Sequence, residues 1–491
     1  MKKLLAAALG LALVMPLTAH AAKDTLVLGM RLEPPGLDPT TGAAAAIAQI
    51  TLYNVFEGLT RINARGEVGP GLATSWTISD DLKTFTFKLR TGLKFHDGSA
   101  FDSSDVKFTF ERNAGEKSTN KRKKRFTNMK VIDASNPATV VITLDKTNPL
   151  FLFQMGESTG VIVAPETADQ NKTHPVGTGP FKFVKWTKGD SVVLQKADTY
   201  RDPGAIKLNR VTFKFVGDPS AQVAAMKAGD VDVFPYFGSP ESLAQFKSDA
   251  RFVVQEGTTE GETILSTNNK HPILKDVRVR RAIAHALDRQ AIVDGAMFGY
   301  GTPIGSHFAP HHPAYVDLTG AYPHDVAKAK ALLAEAGHPN GFEVSLKLPP
   351  PTYARRGGEI IAAQLAKVGI TAKIEQVEWA QWLDVVYKKR NYGLSIVSHV
   401  EPNDINKYAQ ANYYFQYDSA ELQAIIEKAD TTVDVQERYE WLRKAQRKIS
   451  EDAVNGFLFQ LAKTAVFRKG LKGIWQNSPM FVNDLAGVSW Q

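Results

Sequence analysis

Arg355 and Arg356 open a segment whose apolar stripe is Ile361, Leu365 and Val368, so the spacing places them at the start of a helix. A guanidinium fork meets a carboxylate with two parallel charge-assisted hydrogen bonds, and the positive end of a helix dipole favours the same anion. The two arginines are therefore a candidate anion site. Trp379 and Trp382 lie on the next helical stripe, with Leu383 and Val386, where they either wall a ligand by stacking or belong to the core. Ser398 and His399 close an apolar run that starts at Leu394, and Glu401 and Asp404 follow in the loop. A hydroxyl, a neutral imidazole donor and two carboxylates at one strand end suit solute binding. Glu33 heads the turn Glu33-Pro34-Pro35-Gly36 after the first strand and completes the candidate ligand-binding set.

Signals for catalysis are sparse. The sequence has no H-E-x-x-H and no Walker A loop. Gly299-Tyr300-Gly301 reads as a turn, because no strand precedes it and the third glycine of a dinucleotide fingerprint comes one residue late. His307, His311 and His312 are punctuated by prolines 303, 310 and 313, a pattern read as a rigid surface turn rather than a metal set. Lys121 to Arg125 are five consecutive basic residues, read as a solvated face rather than a nucleic-acid patch. With no cysteine there is no disulfide, no thiolate metal site and no thiol nucleophile. The expectation is a protein without enzymatic activity, metal or cofactor. The rival reading is a secreted hydrolase working through paired carboxylates.

The elements that must position these groups divide the chain. Its 491 residues, 43% hydrophobic and 22% charged, suffice for several domains with real cores. Lys2 and Lys3, the apolar run Leu4 to Leu17 and Ala19-His20-Ala21 read as a cleavable secretory signal over residues 1–21. Without a cysteine at that point there is no lipid anchor, so a periplasmic protein free of the membrane is expected. The net charge of +8 is too diffuse to argue for nucleic acid. Thr25 to Met30 is a strand. From about residue 60 to 215 the period is mostly two, as in Phe85, Phe87 and Leu89 or Val140, Ile142 and Leu144. After about residue 270, helices (Val326 to Ala336, stopped by Gly337) alternate with strands (Phe342 to Leu348, Ile370 to Ile374, Leu394 to Ser398), which predicts a largely parallel, helix-covered sheet.

Five segments carry a resemblance. They are Gly71-Leu72-Ala73-Thr74-Ser75-Trp76 with the following Asp80 to Phe87, Leu89-Arg90-Thr91-Gly92-Leu93-Lys94-Phe95-His96-Asp97-Gly98 with Ser104 to Phe108, Pro175 to Phe181, Met226 to Asp232, and Asp276 to Ile283 with Leu287-Asp288-Arg289. In this order they resemble the extracytoplasmic solute-binding proteins of ABC importers, in the dipeptide, oligopeptide and nickel family (solute-binding family 5). The resemblance implies an α/β, two-lobed periplasmic binding protein fold of the class II-like, cluster C kind with an extra strand-rich domain. Lobe one would be 22–55, 178–265 and 475–491, the extra domain 56–177, and lobe two 266–474. It further implies a monomer that closes on a small-molecule solute and presents it to an ABC permease in the inner membrane. Peptide-binding members pair the peptide ammonium with an aspartate where this chain has Ser398, and a hydroxyl supplies no such charge. Tyr353-Ala354-Arg355-Arg356 resembles the segment from which dipeptide-binding members offer a guanidinium to the peptide carboxylate. The expected ligand is a small carboxylate-bearing solute: a dipeptide, an amino-acid derivative or an organic acid. A nickel or metal-chelate cargo is the alternative within the family, with His399 as the residue concerned.

Overall fold

The computed structural model describes residues 23–42 and 44–491, so the secretory-signal reading falls outside the described residues. Among the described residues no helix is long and apolar enough to cross a membrane.

One sheet runs through most of the molecule. Its strand order is Ile370–Gln376, Phe342–Leu348, Leu394–His399, Phe252–Thr267, Gly456–Arg468, Val233–Phe234, Thr25–Met30, Arg210–Phe215, Ser191–Lys196 and Phe181–Thr187. Phe252–Thr267 and Gly456–Arg468 are its longest strands, and they lie antiparallel to each other at its centre. At one end Gly456–Arg468 pairs with Val233 and Phe234; at the other, Phe252–Thr267 pairs with Leu394–His399. The chain thus passes between two halves along these strands, and their register breaks between Thr258 and Glu262. In one half Thr25–Met30 is parallel to both of its neighbours, and in the half after residue 270 only Phe342–Leu348 and its two neighbours are parallel. The largely parallel sheet expected for this half is corrected to a mixed one, because the crossing strands enter it antiparallel.

Separate apolar cores hold the parts. Leu26, Leu28, Val211 and Phe213 anchor one half. Leu346, Ile361, Ile370 and Leu394 lie between sheet and helices in the other, where the helix Thr352–Ala366 covers the parallel strands. A four-stranded antiparallel sheet (Ala73–Ile78, Thr84–Leu89, Thr139–Leu144, Met129–Asn136) has its own aromatic core, with Phe85 and Phe151 rings 4.5 Å apart. The helix Ser103–Ala114 covers it. Asp102 Oδ1 accepts from Ser104 N–H at 2.7 Å while Asp105 Oδ2 accepts from Asp102 N–H at 2.8 Å, a reciprocal cap that fixes where the helix begins.

The recognisable segments turn out to be joints. The His96 amide donates to Gly177 O at 2.9 Å, and its Nε2 lies 2.8 Å from Gly179 O. A Cβ on Gly177 would meet Val55 O at 2.0 Å, so only glycine permits this approach. Gly98 answers a different need, a left-handed turn at φ +93°. Asp276 and Asp288 cap successive helices, and buried Arg280 donates to the carbonyls of Leu274, Lys275, Asp452 and Ala453.

Candidate functional site

A cavity of about 430 Å³ opens where the parts meet. Its floor is Thr259, Glu260 and Gly261 of one crossing strand and Leu461 and Ala462 of the other. Ala45, Ala48, Leu52, Tyr236, Met480 and Phe481 form one wall, Val400, Glu401 and Pro402 the facing wall, and Lys121, Arg122, Glu157 and Ser158 the third side. The surface is mostly apolar with a few charges of both signs, as in pockets that orient small molecules. Arg122 donates to Glu401 at 2.9 Å, joining the third side to the facing wall. Tyr236 is held by a 2.5 Å contact of its hydroxyl with Ser478 Oγ, and Tyr236 and Phe481 also wall a second cavity of about 360 Å³ that reaches Glu33.

Behind the floor lies a buried ionic cluster. Register pairs Glu262 directly with His399 across two strands, which puts both on one sheet face. Asn403 takes a left-handed φ of +61°, tolerated by asparagine, and turns the loop so that Asp404 comes back against them. His307 stands between the two acids, with Nδ1 2.7 Å from Glu262 Oε1 and Nε2 3.2 Å from Asp404 Oδ1. His399 Nδ1 lies 3.3 Å from Asp404 Oδ2, and its Nε2 2.8 Å from the Tyr414 hydroxyl. Burial pushes the Glu262 carboxyl up. Burial alone would lower His307, but the charges and contacts of Glu262 and Asp404 outweigh it and raise its pKa. Burial would likewise raise Asp404, yet the two imidazoles beside it hold it well below the usual carboxylate range.

The expected site residues separate into groups. Glu401 is on the cavity wall. His399 and Asp404 belong to the ionic cluster behind it. Ser398 Oγ is buried without a hydrogen bond, facing Gly261, and its amide donates to the Tyr353 hydroxyl at 3.2 Å. That bond brings the helix of Arg355 against the strand end. Arg355, however, pairs with Glu378 at 3.0 Å, Arg356 is exposed over the Phe298 ring at 5.0 Å, and neither lines the cavity. Trp382 is buried with Nε1 donating to Ser395 Oγ at 2.9 Å, and Trp379 stands edge-on to it, 40% exposed; neither lines the cavity. Glu33 accepts from Trp186 Nε1 at 2.9 Å and from the Gly189 amide at 3.1 Å, on the second cavity.

Two expectations need correction. The His307–His312 loop is not a surface turn. His307 is 5% exposed, His311 joins Thr258 (2.5 Å) to Glu260 (2.7 Å), and His312 stacks on Phe308 at 4.0 Å and faces Asn403 Oδ1 at 3.2 Å. Burial lowers His312 to about 3, so it is neutral. The basic run is not simply a solvated face either: Lys121 and Arg122 reach the cavity, and Arg125 is ion-paired with Glu157. The spacing of Arg122, Arg125 and buried Phe126 is the signal that could have shown one side of the run turning inward.

Two halves sharing crossing strands around a solute-sized cavity define a two-lobed binding protein of mixed α/β class. Residues 67–421 match the family described as bacterial extracellular solute-binding proteins, family 5, middle region, and the chain belongs to that family. It is 30% identical over 384 residues to a glutathione-binding protein of Escherichia coli O157:H7, an alignment covering 76% of this chain and 73% of the relative. It is 31% identical over 407 residues to heme-binding protein A of Haemophilus influenzae, covering 75% and 72%. The solved structure of HbpA2 from Haemophilus parasuis superimposes with a TM-score of 0.85 at 27% identity, covering 95% of this chain and 100% of that one. The protein is thus a periplasmic-type solute-binding component of an ABC importer, and its relatives are binding proteins rather than enzymes.

Proposed function

We propose that this protein captures a small carboxylate-bearing solute, with an amino-acid-derived compound favoured, in the cavity between its lobes and hands it to an inner-membrane ABC permease. The observation that carries this reading is the cavity's composition: an apolar body flanked by Lys121 and Arg122 on one side and by Glu260 and Glu401 on others. Arginine and lysine receive a carboxylate, the acids receive an ammonium, and Tyr236, Leu52 and Phe481 receive apolar carbon. A volume of about 430 Å³ suits a solute the size of a dipeptide or somewhat larger. The compounds named for the two relatives, glutathione and heme, both bear carboxylates, which supports the anionic half of the reading. Arg355 and Arg356 take a secondary place in it, because both are engaged outside the cavity.

The test begins with native mass spectrometry of protein purified without denaturation, to identify the co-purifying solute. Calorimetry then compares that acid with its amide on wild type, Arg122→Ala and Arg355→Ala. The acid should bind far better than the amide. Arg122→Ala should lose ~2–4 kcal/mol by leaving a buried carboxylate unpaired, and Arg355→Ala should lose little. Equal binding of acid and amide sinks the reading, and chemical turnover of the solute would favour the hydrolase instead.

A further inference from the structure

The ionic cluster behind the cavity floor is not used by the solute reading. Three segments of chain deliver it: the crossing strand with Glu262, the strand end with His399, and the reversed loop with Asp404. One donor atom from each of these three residues can be taken so that all lie within 4.8 Å of one another. An independent observation concerns Glu262 itself. Its side chain is 3% exposed, His307 Nδ1 stands 2.7 Å from Oε1, and neither carboxylate oxygen has a well-aligned hydrogen bond. One imidazole between two buried carboxylates cannot offset both charges, and a cation bound beside them would.

The donor set says which kind. Two carboxylates and one imidazole suit a borderline divalent ion, whereas calcium and magnesium take oxygen shells. His399 has its other nitrogen at the Tyr414 hydroxyl, the outer contact that fixes a metal-binding ring. His307 touches both acids and can hold one oxygen of each while the others turn to the ion. An ion about 2.1 Å from each donor requires small inward rotations of these side chains. Asp404 also borders a cavity of about 120 Å³ beside Arg122 and Glu401, which gives a path inward. We propose that Glu262, His399 and Asp404 form a resident site for a divalent first-row transition-metal ion of the zinc class, fastening the crossing strand to the loop that presents Glu401. The ion is part of the protein rather than its cargo.

The test needs no solute, so it stands apart from the function proposed above. Full-length mature protein is stripped with EDTA, dialysed and titrated with ZnCl2, then with CaCl2. Wild type should take up one Zn²⁺ per chain and no Ca²⁺. His399→Gln and Asp404→Asn should each weaken Zn²⁺ at least 30-fold, while His338→Gln, a control for peripheral histidines, should not. Co²⁺ bound to wild type reads the shell without any variant, in case the variants fail to fold: visible bands of a nitrogen–oxygen site are expected. Absence of stoichiometric Zn²⁺ uptake, absence of those bands, or tight Zn²⁺ binding that survives both substitutions overturns the proposal.

Discussion

Lys463 shows how much one side chain can say. It is 3% exposed, donates to the Trp475 carbonyl and has the Tyr236 ring 5.4 Å away. Burial lowers its pKa from 10.5 to about 7. The unfolded chain therefore holds more protons than the folded one between pH 7 and 10.5, and stability rises with pH across that window. At pH 7 and below, the charged lysine costs the fold on the order of 4 kcal/mol. Lys463→Met should accordingly be more stable than wild type at pH 7, and the difference should shrink as pH approaches 10. Chemical denaturation at pH 7, 8.5 and 10 checks this; a difference constant with pH would refute the assignment. Single residues also mark where the sequence stopped being readable. Arg355, Trp382 and Ser398 were singled out by type and local spacing, which report the element a residue sits on but not which face meets the cavity. Lys121 and Arg122 reach the cavity only because a loop some 280 residues later brings Glu401 to them, and no local pattern contains that.

At the scale of elements, the periodic segments were legible. Thr84–Leu89, Phe342–Leu348 and the helix ended before Gly337 follow from alternation or from three-and-four spacing, since each buries one face, and Thr25–Met30 follows from its apolar run, buried on both faces. The crossing strands were not: Phe252–Thr267 pairs with Gly456–Arg468 across about two hundred residues of chain, and its central Glu-Gly-Thr-Thr-Glu-Gly-Glu stretch carries no apolar alternation. The motif glycines were legible as turns, but they do two different jobs. Gly177→Ala should destabilise severely, by several kcal/mol, because its Cβ would collide with the Val55 carbonyl. Gly98→Ala has open space around it and should lose only about 1 kcal/mol, the strain of a positive φ. Thermal melts of the two variants should rank in that order; the reverse ranking would mean that turn geometry, not close approach, sets the joint. Asp102→Ala should remove about 1 kcal/mol by uncapping the helix over the small sheet, measurable in the same series.

At the scale of the molecule, the fold class followed from five scattered segments, and the site did not, because the cavity is assembled from all parts of the chain. Arg122–Glu401 is the ion pair that spans it, and both partners are partly exposed, so on its own it adds little stability. Its role is geometric. Solute entering the cavity should draw the lobes together and lower the radius of gyration seen by small-angle scattering; no change at saturation would exclude closure. Glu401→Gln should leave the melting temperature nearly unchanged while altering solute affinity, a separation that a purely structural pair would not give. The break in register between Thr258 and Glu262 has a thermodynamic consequence of its own. Rotation about an interrupted ladder exchanges few hydrogen bonds, so opening and closing of the unliganded protein should carry an enthalpy near zero and an equilibrium almost indifferent to temperature. Any strong temperature dependence of capture then belongs to the surfaces that meet and the water they displace, and a heat capacity measured on binding can be read as the apolar surface buried by solute and closure together.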